Sequence, residues 1–142
     1  MNLVTNIIAA LYLILCTLKD IKTYTISLPL SILTGLTLII LRLSIPDTTI
    51  YSILLSLIPG CVILLLAYMT HESIGYGDGI VLNVIGIALG LNSLIFLLLM
   101  ALIFSSVFAL FLILKRKSGK TTFPFVPFIS CSYFTAWLFN IF

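Results

Sequence analysis

A chain of 142 residues that is 62% hydrophobic and only 8% charged has too little polar surface to keep a folded globule in water, which excludes an ordinary soluble domain and points to the lipid bilayer. The net charge of +3 comes from basic residues placed beside apolar runs, so topology accounts for it and nucleic acid is not an expected partner. Apolar runs of bilayer-crossing length take up nearly the whole sequence, and residues 1–142 are read as a single transmembrane domain.

The start, Met1-Asn2-Leu3-Val4-Thr5, lacks a basic region, and no small-residue cleavage site follows the apolar run ending near Leu18. The first span is therefore expected to stay in the mature protein. Breaks in the apolar pattern predict spans over residues 3–18, 26–41, 50–69, 80–90, 93–114 and 123–142, all helical because a helix satisfies its own backbone groups in lipid. As one helix, residues 80–114 would be about 52 Å long against a hydrocarbon core of about 30 Å. Gly90-Leu91-Asn92-Ser93 supplies the turn that folds this run into two. The loops after spans one, three and five then share a face carrying Lys19, Lys22, Lys115, Arg116, Lys117 and Lys120, against Arg42 opposite. The positive-inside rule favours an all-α protein of six spans, with both termini outside and the basic loops in the cytoplasm. Span four is short and is expected to be tilted, recessed or shielded by its neighbours.

Cys16, Cys61 and Cys131 lie in apolar stretches without CxxC spacing or a His at a metal-ligand interval, and read as small buried hydrophobes. Of the four acidic residues, Asp47 follows Pro46 and reads as turn chemistry. Asp20 and Asp78 are separated by an even number of crossings, so they share a face with or without the later turn. A carboxylate at the edge of an apolar helix is costly unless hydrated, paired or used. Taken singly, Asp78 suits the N-cap of span four, and Asp20 suits an interfacial residue balanced by Lys19 and Lys22. Gly75-Tyr76-Gly77-Asp78 adds a loop whose two glycines permit backbone conformations and close approaches closed to other residues, enough to hold a carboxylate against a neighbouring helix. His71 and Glu72, just before it, read as hydrated interfacial residues. Asn83 reads as an interhelical hydrogen-bonding group. Tyr24, Tyr76 and Trp137 read as interface anchors or packing residues, and Pro124 and Pro127 as shaping the start of span six.

The segment from Gly75-Tyr76-Gly77-Asp78 through Gly86 to Gly90 resembles the GxGD segment of type 4 prepilin peptidases and archaeal preflagellin peptidases. Asp20-Ile21-Lys22-Thr23-Tyr24-Thr25-Ile26 resembles the first aspartate motif of that family, an Asp, a basic residue and then an Ile-Pro-Asn turn, with Ser27 and Leu28 in place of Pro and Asn. Phe123-Pro124-Phe125-Val126-Pro127-Phe128 is similar to its Pro-Phe-Gly-Pro-Phe segment, with Val126 in place of Gly, while Gly79-Ile80 replace a common Val-Lys. The N-terminal region that carries N-methylation in larger members has no counterpart in these residues, so a peptidase-only, minimal form is expected.

The resemblance implies a multi-pass protein of a prokaryotic plasma membrane that cuts the basic leader from prepilin-like precursors at the cytoplasmic face. Asp20 and Asp78 would be its catalytic pair, positioned by Gly75 and Gly77. One carboxylate would activate water as base and the other would serve as acid, with no metal or other cofactor required. Which Asp is the base stays open. The Lys115–Lys120 cluster would repel a basic leader and is assigned to topology and anionic lipid. The competing readings are a presenilin-like protease cutting within a substrate's helix, a small transporter or channel component, and an inactive relative retained for assembly.

Overall fold

A computed structural model describes residues 3–23, 25–46, 48–70, 75–115 and 124–139. They form six helices: α1 Leu3–Thr23, α2 Leu28–Leu43, α3 Ile50–Met69, α4 Tyr76–Leu89, α5 Leu91–Leu114 and α6 Val126–Leu138. No strand occurs among the described residues. Each helix lies on one of the apolar segments read from the sequence. Three of them, α1, α3 and α5, are long and apolar enough to cross a membrane, while α2, α4 and α6 are shorter apolar helices. Tyr24, Asp47, His71, Glu72, Arg116, Lys117, Lys120 and Phe123 lie outside the described residues.

The break between α4 and α5 is a single residue. Gly90 sits at φ 84° and ψ 170°, a region essentially reserved for glycine, and Leu91 already opens the next helix. Its N–H closes α4 on the Gly86 carbonyl at 2.8 Å, and its carbonyl receives the Leu94 N–H at 3.0 Å. The four-residue turn expected from Gly90-Leu91-Asn92-Ser93 thus contracts to its glycine.

Helix α4 is the centre of the molecule, packed on by α1, α2, α3 and α5, with nine of its 14 residues buried. At about 1.5 Å per residue it is about 21 Å long, short of a bilayer core of about 30 Å. Of the outcomes expected for a short fourth span, shielding by neighbours is the one observed.

Its tightest partner is α3, along a seam of small residues. A Cβ on Gly86 would strike the Ser56 carbonyl, one on Gly60 would strike the Asn83 side chain, and one on Gly79 would lie 2.7 Å from Leu64 Cγ. Tyr12, Leu13, Leu38, Leu82, Ile85, Leu94, Leu97 and Ile129 fill the core around α4. Tyr12 and Ser31 hydrogen-bond at 2.8 Å between α1 and α2, and the Tyr133 hydroxyl donates to the Asn6 carbonyl at 2.9 Å between α6 and α1.

The outer faces of the five helices around α4 are apolar, from Leu11 and Leu15 on α1 to Ile103, Val107 and Leu110 on α5. Such a surface suits lipid rather than water. Two of the three cysteines correct the expectation of burial: Cys16 is buried, but Cys61 and Cys131 are exposed on this outer surface. Both occupy outward positions of helices whose surroundings are themselves apolar, so hydrophobic sequence context did not imply an inward side chain.

Candidate active site

Asp20 occupies the last turn of α1, which runs five residues past the span expected from hydropathy. It is 7% exposed. Its carboxylate faces the backbone N–H of Val126, the first residue of α6. That N–H is among the donors a helix cannot satisfy internally, and it brings the positive end of the α6 dipole to a buried negative charge. The other carboxylate oxygen, Oδ2, is buried with no hydrogen-bond partner among the described residues.

Asp78 is the third residue of α4 and half-buried. The N-cap position expected for it belongs to Gly75, which leaves the Asp78 side chain unused for capping. The Asp78 N–H donates to the Gly75 carbonyl at 3.1 Å, and the side chain folds back so that a Cβ on Gly75 would lie 3.3 Å from Asp78 Oδ2. Asp20 and Asp78 are close enough for the charge of one to act on the other. Two residues 58 positions apart in the chain are thereby brought within electrostatic reach of each other.

The glycines supply room rather than unusual dihedrals. Gly75 has φ −66° and ψ 125°, and among the described residues positive φ belongs to Gly90 alone. A Cβ on Gly77 would lie 2.6 Å from Ile26 Cδ1 and 2.9 Å from Ile26 Cγ1. The Gly-Tyr-Gly-Asp loop therefore lies directly on the segment that follows Asp20.

Polar contacts tie the surrounding segments together. Lys19 Nζ donates to Ser27 Oγ, and Thr17 Oγ1 hydrogen-bonds Ser130 Oγ between α1 and α6. Pro127 stands in the first turn of α6, as expected of a proline that shapes a helix start, and Phe125 packs on the core. Asn83 lies against Gly60 of α3, with the Cys61 thiol 4.0 Å from its Oδ1, which fits packing between helices. Tyr76 and Trp137 are exposed at helix ends. Lys22 is exposed at the end of α1, and Lys115, ending α5, places its Nζ 4.4 Å from the Phe111 ring centre.

Sequence reading missed the Val126 N–H and the Lys19–Ser27 contact. A backbone donor has no side-chain signature. Its one trace was Pro127, which marks where a helix begins and hence where free N–H groups point.

Chemically, the arrangement offers two neighbouring carboxylates in a poorly hydrated place, one with an open oxygen, and each beside the start of a helix. Two such carboxylates can differ in protonation, so that one accepts a proton while the other donates one. No curated protein and no solved structure matches the chain significantly. The model of the type IV leader peptidase family matches residues 7–114, a stretch that takes in Asp20 and the Gly75–Asp78 loop, and the chain belongs to that family.

Proposed function

We propose that this membrane peptidase is an aspartyl endopeptidase that removes the leader of prepilin-like precursors at the cytoplasmic face, with Asp20 and Asp78 as its catalytic pair. The observation that carries the reading is that these two carboxylates, at the end of α1 and the start of α4, lie within electrostatic reach of each other in a chain of the leader peptidase family.

Burial disfavours the charged form of each carboxylate and the charge of Asp20 acts on Asp78, so in this reading the pair works with one proton. The ionised member takes a proton from a water molecule as that water attacks the scissile carbonyl carbon. The neutral member gives its proton to the carbonyl oxygen. The tetrahedral intermediate then collapses, the C–N bond breaks, and the amine leaves with a proton returned by the pair. One water is consumed, two termini are produced, and the pair regains its single proton.

The ends of α1, α4 and α6 that form the site lie with Lys19 and Lys22, and Lys115 ends α5 just before the chain returns to α6. This arrangement supports a six-span topology with the site facing the cytoplasm of a prokaryotic cell. A precursor's leader then reaches the pair from the cytoplasm while its apolar helix stays in the bilayer.

The test is cleavage of candidate prepilin-like precursors by the purified protein in detergent or membranes, beside Asp20→Asn and Asp78→Asn. Both variants should lose cleavage, and full activity in either ends the assignment. Sequencing the new N-terminus places the cut. A cut just before the substrate's apolar segment is expected, and a cut inside that segment would mark a presenilin-like protease instead.

A further inference from the structure

We propose that Ile26 is a positioning residue, whose side chain, wedged against Gly77, sets the separation at which Asp20 and Asp78 face each other. This rests on the peptidase reading for its kinetic consequence, but not for its geometry.

Ile26 is fastened to the helix that carries Asp20. On one side of it, Thr25 Oγ1 hydrogen-bonds Thr23 Oγ1 at 2.8 Å, and Thr23 Oγ1 donates to the Lys19 carbonyl at 3.0 Å. On the other side, Ser27 Oγ accepts from Lys19 Nζ, and the Ser27 carbonyl receives the Ser31 N–H at 3.0 Å as α2 begins. Both neighbours of Ile26 are thus tied back to the turn of α1 next to Asp20. Its side chain packs on the core, and branching at Cβ restricts χ1.

Gly77 meets this side chain, with Ile26 Cδ1, Cγ1 and Cβ at 2.6, 2.9 and 3.5 Å from where its own Cβ would be. Asp78 is the next residue. Behind it, the first turn of α4 cannot retreat, because Gly79 already presses on α3: a Cβ there would be 2.7 Å from Leu64 Cγ and 3.1 Å from the Gly60 carbonyl. The start of α4 is therefore clamped between Ile26 and α3, and Ile26 acts as a spacer between the helix bearing one carboxylate and the loop bearing the other. Gly77 is required for the thickness of that spacer, not for its backbone conformation.

The experiment compares Ile26→Val, Ile26→Ala, Gly77→Ala and the double variant Gly77→Ala/Ile26→Ala. Displacing reacting groups by about 1 Å costs roughly a hundredfold in rate, so Gly77→Ala and Ile26→Ala should lower kcat by roughly tenfold to a hundredfold with KM little changed. The double variant should recover roughly tenfold over Gly77→Ala, because the methyl added on one side fills space vacated on the other. A double variant no better than the product of the two single losses overturns the proposal.

A second measurement needs no substrate. In a background with Cys16, Cys61 and Cys131 replaced by Ala, Asp20→Cys/Asp78→Cys is oxidised, and the rate of disulfide formation reports the separation of the two positions. Ile26→Ala should change that rate by roughly threefold or more, and adding Gly77→Ala should move it back. An unchanged rate refutes the spacer. Failure of the parent protein to cleave any precursor refutes the peptidase reading alone, and the oxidation rates still decide the role of Ile26.

Discussion

Arg42, among the described residues the single basic one near the far ends of the helices from the Asp pair, donates from Nη1 to the Ala88 carbonyl at 3.0 Å, across 46 residues of chain. Ala88 lies in the last turn of α4, where carbonyls have no partner within the helix and the dipole is negative. A Cβ on Gly90 would lie 3.4 Å from Arg42 Nη2, so the guanidinium also covers the turn into α5. Arg42 thereby closes the end of the central helix opposite Asp78.

Replacing Arg42 with Met keeps the aliphatic stem and removes the charged donor. Hydrogen bonds to charged groups contribute about 1.5–3 kcal/mol, and the stability of the detergent-purified protein should fall by about that much. Thermal unfolding followed by circular dichroism measures it. An unchanged midpoint would mean that water or lipid replaces the guanidinium at no cost.

Gly90→Ala and Gly35→Ala form a contrasting pair. Gly90 has φ 84° and ψ 170°, and forcing alanine there costs about 1–3 kcal/mol. Gly35, inside α2, would place its new Cβ 3.9 Å from Val84 Cγ2, an ordinary contact, so Gly35→Ala should be neutral or stabilising by up to about 1 kcal/mol through helix propensity. The same unfolding assay should rank the two variants in that order, and equal midpoints would count against the glycine-only turn.

Gly86→Ala tests the seam between α3 and α4. Its Cβ would strike the Ser56 carbonyl, part of a helix backbone that yields only if the whole helix moves. Overpacking of this kind costs about 1–3 kcal/mol. Because α4 carries Asp78, precursor cleavage should fall together with stability. Normal activity with normal stability would show that α3 and α4 are not held at this distance.

Much of this was legible in the chain because lipid leaves few options. Long apolar runs had to be helices, and Gly90-Leu91-Asn92-Ser93 supplied turn residues in a run too long to be a single span. Counting crossings put Asp20 and Asp78 on one face without any knowledge of which helices touch, and the family resemblance supplied the expectation that they act as a pair. What stayed hidden depends on contacts rather than composition. That Gly77 answers to Ile26, that Arg42 answers to Ala88, and that the Val126 N–H answers to Asp20 are relations between residues distant in sequence. All three end on backbone atoms or on the absence of a side chain. Cys61 and Cys131 misled for a related reason: in a membrane protein an apolar neighbourhood describes the lipid side of a helix as well as its core side.

Asp20→Asn separates the cost of holding the site from the fold that holds it. In the native protein a carboxylate is buried at 7% exposure beside a second carboxylate, with Oδ2 lacking a hydrogen-bond partner among the described residues. Burying charge in this way is paid in stability, and functional sites commonly sit at such a cost. Asparagine has nearly the same shape, keeps an oxygen that can accept the Val126 N–H, and removes the repulsion with Asp78. The variant should be inactive on precursors and as stable as the parent or more so, by up to about 1 kcal/mol on the scale of a hydrogen bond. Unfolding midpoints and cleavage assays on one preparation check both halves. A variant that lost activity and became less stable would make Asp20 a structural keystone of the α1–α6 contact, and loss of cleavage on its mutation could then no longer be counted as evidence of chemistry.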